Sequence, residues 1–184
     1  MGLAACAGLR AWLPLLLLGG LARAGVVELG SSYQFLASNK ALVLFGLATA
    51  IEVLGDKFPA VDHALDVLST VLRPAAGSLL AASVLWTIED PLTALVMGVA
   101  VGAPTSLVPH AAKATLRAAS TAFTAGLANP VLSLIEDLLA LLLFVLAVVI
   151  PVALALAVVA ASVWTVLRLR RRRRTAIPSA VPAQ

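Results

Sequence analysis

The sequence predicts an all-α fold: a polytopic helical membrane protein of about six or seven helical segments, some short or re-entrant. Three observations carry this. Of the 184 residues, 61% are hydrophobic and only 12% are charged, with a mean hydropathy of +1.05. A soluble domain of that length needs a larger polar skin than this charge supply provides. Aromatic residues make up only 5%, which argues against a membrane barrel with aromatic girdles. Apolar runs recur along the chain, either close to the roughly 20 residues of a span or shorter and broken by Gly or Pro. The expected organisation is one transmembrane domain over residues 1–169 and a basic, disordered tail over 170–184.

Each element has a local cause. Leu3–Leu21 is apolar apart from Arg10 and holds Pro14 and Gly19-Gly20, so it reads as an interrupted first helix. Arg23–Lys40 is a mixed loop in which Tyr33 and Phe35 suit the membrane interface. Ala41–Leu54 is too short for a free span, and Pro59 breaks any continuation of it. Val61, Leu65, Leu68 and Leu72 recur at helical spacing, with Asp62, His63 and Asp66 off that stripe. Arg73-Pro74 starts the next helix, since Pro suits a first helical position. Thr87–Pro91 is a polar turn, and Pro91–Val108 carries the close-packing pair Gly98 and Gly102. Pro109–Leu127 is a more polar helix, and Asn129-Pro130 is a break. Val131–Val149 and Val152–Leu169 together would measure about 58 Å as one helix. A hairpin near Ile150-Pro151 is therefore expected.

Charge is unevenly placed. Six of the 13 basic residues fall at Arg168 and Arg170–Arg174, leaving seven bases against nine acids in the rest of the chain. The high basicity belongs to this end, which suits anionic lipids and a cytoplasmic C-terminus, not a nucleic-acid-binding face. The remaining charges interrupt apolar runs, where an unpaired charge costs several kcal/mol. Broken helices with such charges line cavities in many transporters. Glu52 and Asp56 share a helical face at i, i+4, suited to a cation or a proton, or else to neutralisation by Lys57 or Arg73. Asp62 and Asp66 repeat that spacing beside His63, as a solvated face or a weak site for a hard cation. His110, Lys113 and Arg117 form a basic stripe for an anionic group or for the acids above. Glu136-Asp137 is six residues into a span; one of the two faces inward, or both complement a helix start at Asn129-Pro130. Arg10 either snorkels or pairs with an inward carboxylate.

Catalytic signatures are absent from the sequence: there is no G-x-S-x-G, H-E-x-x-H or P-loop. The expectation is no enzyme and no cofactor. The single cysteine, Cys6, excludes an intramolecular disulfide.

The chain resembles a bacterial membrane family catalogued as domain of unknown function 4126 (DUF4126). The residues that carry the resemblance are Gly8–Leu15, Glu52-x-x-x-Asp56-Lys57-x-Pro59-x-x-Asp62, Arg73-Pro74-x-x-Gly77, His110-x-x-Lys113-x-x-x-Arg117 and Ser133-x-x-Glu136-Asp137. The resemblance implies a compact multi-helix membrane protein whose charged residues form one group. Glu52–Lys57 also resembles the E-x-G-D-K-[TS] motif of cation/manganese exchangers, with one extra residue before Gly55 and with Phe58 in place of Ser/Thr.

The functional expectation is a small transporter or channel in the bacterial inner membrane. Its site for an ion or small solute comprises Glu52, Asp56, Lys57, Asp62, Arg73, His110, Lys113, Arg117, Glu136 and Asp137. The alternative is a non-transporting protein that binds lipid head groups or a partner helix through the basic stripe and the Gly98/Gly102 face. Expected partners are the lipid bilayer, anionic lipids at Arg168–Arg174, a small ion or solute, and further copies of the chain, but no nucleic acid.

Overall fold

The computed structural model of the chain describes residues 1–56 and 59–175, and the side chains of 59–67, 155, 166 and 169–175 are not among them. The described residues are all-helical, in seven segments. These are α1 (Gly2–Leu9), α2 (Trp12–Arg23), a 3₁₀ segment (Ser31–Ala37), α3 (Asn39–Gly55), α4 (Pro59–Ser83), α5 (Pro91–Thr124) and α6 (Asn129–Thr175). The chain divides into two compact units, Met1–Ala147 and Val148–Gln184. Pro91–Thr124 and the α6 stretch Asn129–Thr165 are long and apolar enough to cross a membrane. A third span results if the 3₁₀ segment and α3, bent by 59°, are taken together.

The first break falls at Arg10, earlier than Pro14 or the glycine pair. Pro14 has no N–H to give to the Arg10 carbonyl, so a helix through Arg10 would lose that bond. Starting α2 at Trp12 puts Pro14 in the first turn, where the missing donor costs nothing. In the next segment, Tyr33 is buried while Phe35 is 53% exposed. Ser38 caps α3 by accepting from Ala41 N at 3.2 Å. Asp90 caps α5 by accepting from Thr93 N at 2.7 Å, with Pro91 at the first helical position.

Three expected boundaries are absent. Pro74 lies inside α4, Pro109 inside α5 and Pro151 inside α6, and α5 holds Pro104 as well. Each proline forfeits one backbone bond, yet among the described residues none adjoins a residue of positive φ that would turn the chain. The apolar helix therefore continues, and no hairpin forms at Ile150-Pro151. α6 also runs to Thr175, into the expected tail, and 176–184 lie outside the described residues. The breaks that do occur carry turn chemistry. After α5, Ala125 and Gly126 take positive φ (51° and 84°), and Asn129 N returns to Gly126 O at 3.1 Å.

The core of the first unit is made by close backbone approach. A Cβ at Gly98 would stand 2.6 Å from Ala82 Cβ and from the Ser78 carbonyl. A Cβ at Gly77 would stand 2.7 Å from the Gly102 carbonyl and 2.8 Å from Ser106 Oγ. α4 and α5 thus cross at glycine, and α1 joins them through Gly8 against the Ser106 carbonyl. The Gly98/Gly102 face is consequently filled from within the chain, not left open for a partner helix. In the second unit, the Arg168 guanidinium lies 4.9 Å from the centre of the Trp164 ring, a cation–π contact.

Candidate functional site

A broken helix leaves unpaired carbonyls at one end and unpaired amides at the other. At the α1–α2 break both are met by charges of matching sign. Arg73 of α4 donates from Nη1 to the Gly8 carbonyl at 2.9 Å. Glu52 of α3 accepts from Ala11 N at 3.0 Å and from Trp12 N at 3.4 Å. A cation at the end of α1 and an anion at the start of α2 have the signs that the helix dipoles favour. The two caps also face each other, with Arg73 Nη2 3.8 Å from Glu52 Oε1.

Arg10 is extended at the break (φ −137°, ψ 118°), and its side chain turns into the protein with no exposure. It does not snorkel. Nη1 lies 2.5 Å from Asp56 Oδ2, and Nη2 donates to Ser133 Oγ at 3.0 Å. Nε lies 2.5 Å from Asp137 Oδ1, although neither atom is aligned for a hydrogen bond. That contact is one of charge alone.

Asp56 joins three helices. Its Oδ2 also lies 3.0 Å from Arg117 Nη2 and 3.3 Å from Lys113 Nζ. Glu136 of α6 takes the same two cations. Lys113 Nζ is 3.0 Å from Glu136 Oε2, and Arg117 donates from Nε and Nη2 to Oε1 and Oε2 at 3.3 and 3.1 Å. Each cation of α5 is therefore shared between a carboxylate of α3 and a carboxylate of α6. The i, i+4 spacing of Lys113 and Arg117 puts both on the face that sees both acids. His110, one turn earlier and half-buried, places Nδ1 3.0 Å from Arg73 Nη1.

The cluster balances. Among the described residues, Glu52, Asp56, Glu136 and Asp137 face Arg10, Arg73, Lys113 and Arg117. Exposure runs from 0% for Arg10 to 7% for Glu136, so seven of the eight are shielded from the surroundings. The Asp137 side chain, 25% exposed, marks the edge. Adjacent positions on a helix predict one inward member of Glu136-Asp137, but both join, because Asp137 reaches Arg10 from the rim. A cavity of about 120 Å³ adjoins the cluster, lined by Trp12, Ala48, Ile51, Glu52, Ser69 and Leu72. The Trp12 ring stacks on Phe45 beside it, with centroids 6.1 Å apart.

Of the residues singled out from sequence, Glu52, Asp56, Arg73, His110, Lys113, Arg117, Glu136 and Asp137 come together. Lys57 and the side chains of Asp62, His63 and Asp66 lie outside the described residues. Spacing alone does not assign two further participants to the site. Ser133 accepts from Arg10, and its signals are its place one turn before Glu136 and its part in the Ser133-x-x-Glu136-Asp137 motif. Arg10 itself, for which the sequence allows two readings, is the centre of the break; its signal is Pro14, four residues later.

These features define a class: an all-helical protein with helices fit to cross a membrane and a charge-balanced polar centre at a broken helix. The chain belongs to the family described as Domain of unknown function (DUF4126), whose family model matches residues 1–172. The match covers every residue of the cluster. No curated protein and no solved structure matches the chain.

Proposed function

We propose that the protein is a small multi-pass transporter or channel for an ion or small solute. The observation that carries this reading is the sharing of Lys113 and Arg117 between Asp56 and Glu136. Shared cations can change partners when one carboxylate gains a proton or a cation. A fixed adhesive role is a weaker account, because buried ion pairs hold helices together no better than apolar packing does. Ionisable groups within membrane spans more often mark ion paths, and discontinuous helices place their ends at substrate sites in transporters. In this reading Glu52, Asp56 and Glu136 take up the cation or proton. Arg10, Arg73, Lys113 and Arg117 balance charge or contact an anionic solute.

The membrane is a bacterial cell membrane with the C-terminus on the cytoplasmic side. That part rests on the Arg168–Arg174 cluster, which also attracts anionic lipids. The lipid-head-group alternative has less support, since Lys113 and Arg117 are 3% and 4% exposed and already face carboxylates.

The test is ion flux in liposomes holding the purified protein, with protons, alkali and divalent cations and phosphate as probes. The expected result is a flux that Lys113→Ala abolishes while the variant remains folded. No flux for any of these probes would overturn the proposal.

A further inference from the structure

We infer that Glu52 is the group that takes up a proton, and that the cavity between α2, α3 and α4 is the route by which the proton reaches it. This deepens the transport reading and rests on it.

At about 30 Å³ per liquid water, the 120 Å³ cavity has room for about four waters, and it is open on one side. Its polar lining residues are Glu52 and Ser69; Trp12, Ala48, Ile51 and Leu72 make the rest apolar. Glu52 and Ser69 are 5% and 6% exposed, whereas Ile51 on the rim is 60% exposed. The cavity thus runs from buried Glu52 and Ser69 to exposed Ile51.

Coordination decides the ligand. A hard divalent cation stripped of water wants about six oxygen ligands. One carboxylate and one hydroxyl do not supply them, and both Glu52 oxygens already accept backbone N–H groups. Among the described residues, no three His, Cys, Asp or Glu side chains are grouped to hold a metal ion. A proton needs a single lone pair. Oε1 is the more engaged oxygen, 3.0 Å from Ala11 N and 3.8 Å from Arg73 Nη2. Among the described residues, Oε2 has only the long contact to Trp12 N at 3.4 Å. Hydronium in the cavity transfers its proton to Oε2, leaving water and a neutral carboxyl group.

The consequence runs through the break. Neutral Glu52 is a weaker cap for α2 and a weaker partner for Arg73. Arg73 faces Glu52 from α4, with His110 of α5 behind it. Arg10 reaches the Glu52 carbonyl at 3.4 Å and leads to Asp56 on α3, to Lys113 and Arg117 on α5, and to Glu136 and Asp137 on α6. Loss of the Glu52 charge favours re-pairing among these groups.

The test labels the purified full chain in lipid nanodiscs with dicyclohexylcarbodiimide, a lipid-soluble reagent that attacks protonated carboxyl groups. Peptide mass spectrometry then reads the stable N-acylurea. We expect label on Glu52 that rises as pH falls, and loss of that label in Ala48→Phe, which fills the cavity but keeps Glu52. If Ala48→Phe does not fold, Ser69→Leu serves the same purpose. In a Trp86→Phe/Trp164→Phe background, Trp12 fluorescence should shift over the same pH range, and Glu52→Gln should abolish the shift. Folded protein without label on Glu52 at any pH, or with label unchanged by filling the cavity, overturns the inference. Flux separates the two claims: label without flux retains the proton site and rejects transport, whereas flux that survives Glu52→Gln retains transport and rejects the proton site.

Discussion

The first half of α5 and its second half make contrasting interfaces. Around Gly98, Gly102 and Ser106, α5 meets α4 and α1 with backbone against backbone, and an added Cβ has no room. Two to three turns beyond Ser106, at Lys113 and Arg117, the same helix meets its neighbours through charge. The glycine contacts have one geometry, because steric fit has no alternative partner. The charged contacts have several, because each cation already touches two carboxylates. One helix thus carries a fixed seam and an adjustable one. The adjustable seam meets, through Asp56 and Arg10, the place where the chain breaks a helix.

Removing the shared acceptor should have the largest effect. Asp56→Ala leaves Arg10, Lys113 and Arg117 without their common carboxylate. Breaking a buried ion pair on one side costs about 3–5 kcal/mol, so a large drop in unfolding midpoint is expected in detergent-resistance or thermal unfolding. A loss near zero would mean that Asp56 is an incidental contact.

The fixed seam gives the next effect. Gly102→Leu forces side-chain atoms into the Gly77 and Ser78 backbone, and overpacking of this kind costs about 1–3 kcal/mol. Stability should fall while the charged seam keeps its partners, so proton uptake at Glu52 in the surviving folded protein should persist. If Gly102→Leu also removed that uptake, the two seams would not be separable.

The smallest effect lies outside both. The Thr93 hydroxyl and amide hold the exposed Asp90 carboxyl below its ordinary value of 3.8. A carboxyl with a lowered folded-state pKa stabilises the fold above its unfolded value and loses that contribution as pH falls through the folded one. Acid should therefore weaken the start of α5 slightly in wild type and not in Asp90→Asn, as measured by hydrogen exchange at Leu92–Leu95. An equal acid response in both would remove this cap from the account.

Much of the charged seam is legible in the sequence, because helical spacing places Glu52 with Asp56 and Lys113 with Arg117 on shared faces. Which faces meet is not legible. Spacing within one helix says nothing of the neighbour, so the joining of α3 to α6 through two cations of α5 appears only in three dimensions. The long helices are illegible for another reason. Pro74, Pro109 and Pro151 look like boundaries, yet a proline removes only one backbone bond, and a long apolar helix tolerates that. Pro14 is the opposite case: read through its missing bond to Arg10, it places the break.

The carboxylates of α3 and α6 share their cations as one unit. A double-mutant cycle of Lys113→Met and Glu136→Gln on unfolding free energy tests it most directly. Charges in one network should couple by about 1–3 kcal/mol, with the double variant losing less than the sum of the single losses. Losses that add to within about 0.5 kcal/mol would contradict the claim and reduce the cluster to separate local contacts.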